Sequence, residues 1–240
     1  MFLVSVPLGV EGAVAPPQRA FSNNKALVLS SLNSLVPPKQ DYLYNLGYYL
    51  MKAGYNVTYL TDGAVTINVL LNTMKQYSIV IWRTNTYTWD HTVYWYVGEN
   101  VNDGVQQQYA TDLAQGWINV NAGPVGISQD FITNHIGANS LTGIQLLMFM
   151  ASYGNSIAPQ FITAGVTTVI YCNNVISLQY GLIDNLTVQM VAYLVGGQTV
   201  DSAVSNTISP YNQGSNPEDN LDTTYAPPFW YAGNDGLTIN

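Results

Sequence analysis

At 240 residues the chain is long enough for one large α/β domain with a full core, or for one domain plus extensions. Only 8% of its residues are charged, against a usual share of about 25%, so Asn, Gln, Ser, Thr and 18 Tyr must cover the surface. The net charge is −8 and all six basic residues (Arg19, Lys25, Lys39, Lys52, Lys75, Arg83) precede residue 84, which argues against nucleic acid as a partner of the body of the protein. A surface of amides and hydroxyls changes little in protonation as a medium turns acidic, and points to an extracellular or cell-surface location. The lone cysteine, Cys172, rules out an internal disulfide framework and a thiolate metal cluster. No apolar run is long enough to span a bilayer, so no transmembrane segment is expected, and no cofactor.

In chain order, Met1–Ala15 is apolar and ends in Ala-Val-Ala, like a secretory signal. It lacks a basic start, however, and Pro7, Gly9 and Glu11 interrupt it. It reads as an arm that packs on its own domain or adds a strand to a neighbour. Pro16-Pro17 and Ser22-Asn-Asn24 form a linker. Lys25–Leu32 has the composition of a buried parallel strand. Leu43, Leu46, Tyr49 and Leu50 repeat at helical spacing between Asp41 and Ala53, closed by Gly54. Tyr55–Leu60 predicts a second strand, Val65–Lys75 a helix, and Tyr77–Trp82 a third strand.

The alternation then breaks. Residues 84–124 read as an insertion, with Thr92–Val97 as an edge or hairpin strand and a Gln-, Asn- and Gly-rich remainder. Ile127–His135 predicts a helix ending at Gly137. Next come a buried strand over 144–150, the small-residue turn Ala151-Ser-Tyr-Gly-Asn155, a helix over about 156–164 ending at Gly165, and a strand over 166–172. Helices over about 179–195 and 198–207, parted by Gly196-Gly197, close the domain. The organisation expected is an arm and linker over 1–24, an α/β domain over 25–208, and a Pro-, Asn- and Gly-rich tail over 209–240. Within the tail, Pro227-Pro-Phe-Trp-Tyr231 is an aromatic anchor. Strands alternating with helices predict a mainly parallel sheet with helices on both faces. In such a sheet the turn after a strand is where a nucleophile or ligand contact sits.

Three local patterns resemble the caspase-like cysteine peptidases of the gingipain and clostripain type. Tyr77-Ser-Ile-Val-Ile-Trp-Arg-Thr-Asn-Thr86 resembles that family's third strand running into the turn that carries the catalytic His. Leu146-Leu-Met-Phe-Met-Ala-Ser-Tyr-Gly-Asn155 resembles its fourth strand ending in Ala-Cys-x-x-Gly, before a helix, Ala-Gly and a fifth strand. Gly196-Gly-Gln-Thr-Val-Asp-Ser-Ala-Val204 is similar to the helix pair that ends such domains. The resemblance implies a caspase-like three-layer sandwich. It also places the family's His near Asn85 and its Cys at Ser152. An amide at position 85 cannot accept a proton, and a serine without a base is a poor nucleophile. The resemblance therefore implies a pseudoenzyme.

The expected function is a non-catalytic structural or binding module, a subunit of an extracellular or filamentous assembly joined as a homo-oligomer through the arm. The alternative is an active secreted peptidase in which His91, in the loop after the third strand, serves Ser152; the same stretch reads equally well as a turn leading into a hairpin, with Asp90 and His91 solvated. A carbohydrate-binding surface of Tyr94, Trp95, Tyr96 and Trp117 is a third reading, against the commoner role of such aromatics in hairpin packing. His135 reads as a structural residue at a helix C-terminus. With two histidines and scattered carboxylates no transition-metal site is expected. Glu218, Asp219 and Asp222 are oxygen donors suited to calcium, although their spacing fits no EF-hand. Sequons at Asn56 and Asn185 would accept surface glycans, but both fall in predicted core elements, which favours chance.

Overall fold

Buried parallel strands need apolar side chains on both faces, and the central segments of this chain supply them. The computed structural model describes residues 23–38, 40–121, 123–173, 180–212 and 229–239. Its main sheet has six strands: β1 (Lys25–Ser30), β2 (Asn56–Thr61), β3 (Ile79–Arg83), β8 (Leu146–Met150), β9 (Thr168–Cys172) and β10 (Phe229–Gly233), in the order β10-β9-β8-β3-β1-β2. The first five are parallel, and β10 runs antiparallel against β9. Every residue of β3 and β8 is buried. The architecture is α/β, a mainly parallel sheet flanked by helices on both faces.

Side chains alternate across this sheet and build two cores. On one face Val28, Ile81 and Met148 pack with α1 (Tyr42–Lys52), α6 (Tyr180–Val195) and α7 (Val200–Asn212). On the other, Leu29, Trp82 and Phe149 pack with α5 (Gly154–Thr163) and α4 (Gln129–His135). The second core also takes in the helical segment that ends at Gln76. That segment is not the regular helix expected over 65–75: it winds wide over Val69–Thr73 and tightens over Met74–Gln76. The wide turn brings Val69 and Met74, five residues apart, into one core.

Residues 84–128 form a second sheet, order β4-β5-β7-β6, from β4 (Thr86–Trp89), β5 (Thr92–Tyr96), β6 (Ile118–Asn119) and β7 (Gly126–Ser128). Two short helices, α2 (Asp103–Gln108) and α3 (Ala110–Ala114), bridge it. The strands β6 and β7 are too short to show a period, and Ile127 belongs to β7 rather than to the helix expected from there. That helix starts at Gln129, where the Ser128 hydroxyl accepts a hydrogen bond from the Phe131 amide at 3.4 Å. At the other end of the chain, the aromatic anchor is a strand. Phe229 is buried, and β10 extends the main sheet with residues from beyond position 208.

Candidate functional site at the strand ends

The register of the main sheet brings two of the predicted positions together. Arg83 pairs with Met150 at the last rung of the β3–β8 ladder. Asn85 and Ser152 each stand two residues beyond that rung, at neighbouring strand ends. Thr84 continues the pairing, its amide donating to the Met150 carbonyl at 3.2 Å. The crevice where strands end, the usual place for chemistry in such sheets, is thus lined by an amide and a hydroxyl.

Ser152 is enclosed by structure, while Asn85 is half-buried. Ser152 is 3% exposed. Its carbonyl accepts a hydrogen bond from the indole Nε1 of Trp95 at 3.0 Å. Trp95 is itself fully buried, edge-on to Phe149, with ring centroids 5.9 Å apart. The residue after Ser152, Tyr153, takes a left-handed conformation (φ 57°) that only a minority of non-glycine residues adopt. Gly154 then lets α5 start hard against β9: a Cβ there would lie 2.7 Å from Tyr171 Cβ and 2.8 Å from the Cys172 carbonyl. At the opposing strand end, Asn85 Oδ1 accepts from the Thr86 amide at 2.7 Å, and the Asn85 carbonyl accepts from the Tyr96 amide at 3.1 Å. Its side chain serves the turn into β4.

His91 stands elsewhere. Asp90 and His91, with φ of 46° and 62°, form the two-residue turn that joins β4 to β5. His91 is exposed at this tip, four residues along β5 from Trp95, which is about 13 Å of extended strand. Of the two readings of this stretch, the structure shows the solvated turn of a hairpin, with most of β5 between His91 and the Trp95 indole that meets Ser152. His135 does end a helix, and it has a partner that the sequence did not reveal. Its Nε2 lies 2.7 Å from Asp112 Oδ1, and its ring stacks on Phe131.

The aromatic residues of β5 divide by the period of the strand. Tyr94 is buried and its hydroxyl donates to the Gly116 carbonyl at 2.7 Å. Tyr87 stacks on Tyr94 and leans on Tyr96, with centroids 5.4 and 4.7 Å apart. Trp95 points the opposite way, into the core. Trp117 is half-buried, edge-on to His135. Tyr94 and Trp95 are therefore packing residues and present no platform, a correction to the idea of one surface formed by all four.

One charged pair was also not foreseen. Arg83, in an otherwise apolar strand, donates from Nε to Asp184 Oδ1 at 2.6 Å and from Nη1 to the Val36 carbonyl at 2.9 Å. Both charged side chains are almost wholly buried. The guanidinium carbon lies 5.9 Å from the ring centre of Tyr42. Burial first, and then the Asp184 charge, raises the Tyr42 phenol well above its ordinary value. Cys172 is buried in β9, and burial pushes its thiol up, so it is no nucleophile. Among the described residues no group of His, Cys, Asp and Glu is arranged to hold a metal ion. Glu218, Asp219 and Asp222 lie outside the described residues. Asn56 and Asn185, expected inside core elements, both have exposed side chains, on β2 and α6.

Comparisons with known proteins agree with this architecture and go no further. The fold is that of the caspase-like peptidases. The crystal structure of the Arg-specific cysteine proteinase gingipain R superposes with a TM-score of 0.57 at 11% sequence identity, over 90% of this chain and 47% of the gingipain chain. The chain thus spans about half the length of that proteinase. No family model matches the sequence, and no curated protein does. No helix among the described residues is long and apolar enough to cross a membrane.

Proposed function

We propose that this chain is a non-catalytic extracellular module, a structural or binding subunit of a cell-surface or filamentous assembly built on a degenerate caspase-like domain. The observation that carries the reading is the enclosure of Ser152. Its hydroxyl-bearing residue is 3% exposed and fastened through its carbonyl to a buried indole. The neighbouring strand end offers an amide that caps a turn, where a general base would be needed. His91 stands at a hairpin tip about 13 Å along the strand. A scarcity of charge and an apolar segment ahead of β1 support a role in assembly outside the cell.

The test is active-site labelling. A serine-directed phosphonate is expected to leave the native protein unmodified, and peptide substrates with basic or neutral side chains are expected to remain intact. Stoichiometric labelling that disappears in Ser152→Ala would overturn the reading in favour of a secreted peptidase using Ser152 and His91.

A further inference from the structure

Among the described residues, no charge, proline or paired strand guards the outer edge of the main sheet on the β2 side. Edge strands of soluble proteins are kept from pairing by charge, proline, bulges or a covering element. β2 reads Asn-Val-Thr-Tyr-Leu-Thr, with no charge and no proline, and its pairing with β1 is regular over all six residues. The Asn56 amide donates to the Asn24 carbonyl, towards β1. In a parallel ladder the residues that alternate with it turn their amides and carbonyls the other way. Val57, Tyr59 and Thr61 therefore present a row of donors and acceptors at the open edge. Among the described residues no strand pairs there.

Beside this edge lies an aromatic stripe. On α1, Tyr44, Tyr48 and Met51 are 72%, 48% and 59% exposed. They follow at steps of four and three, so they share the face turned away from the core. The stripe joins the edge through Tyr59, 39% exposed, whose hydroxyl sits where a Cβ on Gly47 would be. The absence of a side chain at position 47 is what lets the edge strand and the helix make one continuous surface. Backbone groups to pair and apolar rings alongside are the two things an added strand requires.

We infer that the outer edge of β2, with the α1 stripe beside it, is the docking surface for residues 2–6 of a second copy of this chain. The inference rests on the reading of the protein as an assembly subunit and supplies the surface on which that assembly is built. Phe2-Leu-Val-Ser-Val6 is uncharged and alternates, with Phe2, Val4 and Val6 on one face, and Pro7 stops it. Five residues match the six of β2. The sixteen residues from Pro7 to Ser22 precede Asn23 and reach up to about 50 Å when extended. That reach is enough to span the gap to the β2 edge of a neighbouring copy.

Sedimentation of the full chain over a range of concentrations tests this. The unmodified protein is expected to associate, and Val4→Pro to weaken association at least tenfold. Val57→Pro is expected to do the same, because the amide it removes faces the open edge and the β1 ladder is left intact. Tyr48→Lys, which touches no backbone pairing, guards against misfolding of the proline variant. Mixing chains that carry only Val4→Cys with chains that carry only Tyr59→Cys is expected to give a disulfide between copies. If Val4→Pro abolishes association while Val57→Pro and Tyr48→Lys leave it unchanged, the surface is wrong and the assembly reading stands. If the unmodified chain stays monomeric, both fall. A disulfide formed within one dilute chain carrying both cysteines makes the occupant the chain's own segment and overturns the second copy.

Discussion

The fold treats its strand-end crevice and its β2 edge in opposite ways. At the crevice every feature closes: an indole holds the Ser152 carbonyl, Asn85 turns its side chain to its own turn, and α5 presses on β9 at Gly154. At the edge, Tyr44, Tyr48 and Tyr59 are exposed, and no charge stands on the strand to discourage a partner. One sheet thus combines packed strand ends with an uncharged side edge. Closure of the one is achieved by packing, which is a stability statement. An uncharged edge with exposed rings is a cost that a covering segment or a partner removes.

The comparison breaks most severely if the closed side proves soft. Asp184→Ala removes the carboxylate that balances the buried Arg83 charge, and should lower stability by about 3–5 kcal/mol, read as the urea midpoint at unchanged slope. A loss below about 1 kcal/mol would mean that water reaches the pair. Trp95→Phe removes the hydrogen bond to Ser152 and part of the ring. It should cost about 1–3 kcal/mol without creating phosphonate reactivity; reactivity appearing in that variant would show that the indole alone conceals an active serine.

A milder effect is expected on the alkaline side. Burial raises the Tyr42, Tyr55 and Tyr87 phenols above their ordinary value. The stability they contribute is fully present below the unfolded-state value of about 10, and is lost as pH rises through the folded-state values. Absorbance at 295 nm should show one class of tyrosines titrating near pH 10, and a second ionising only together with the loss of near-UV circular dichroism. A single smooth titration would count against the burial. The smallest effect belongs to His91→Ala. At an exposed hairpin tip it should change stability by less than about 0.5 kcal/mol and leave phosphonate labelling at the unmodified protein's level.

Strands and helices that carry a period were legible in the sequence. Ala26–Leu29, Ile79–Trp82 and Leu146–Met150 are continuous apolar runs, and α1 shows its inward face through Leu46 and Leu50. The second sheet beyond its hairpin was not, because two- and three-residue strands such as β6 and β7 exist only through the neighbour they pair with. The β10 strand was hidden by a Pro- and Asn-rich context, although Phe229, Trp230 and Tyr231 marked it as anchored. Asn85 and Ser152 could be placed side by side because each follows the end of an apolar strand by a fixed count. The seal over them could not. Thr92–Val97 reads as a strand, but which of Tyr94, Trp95 and Tyr96 turns inward depends on which face meets the main sheet. Arg83 and Asp184 are 101 residues apart; a lone arginine directly after Ile-Val-Ile-Trp was the available clue to a buried partner.

Cys172 carries one more consequence. Its sulfur is sealed in β9 and held protonated by its surroundings, so neither oxidants nor reductants in the medium have a group to act on. The native state needs no bond that one compartment forms and another breaks. Its resistance to unfolding is expected to be the same in reducing and in oxidising buffer.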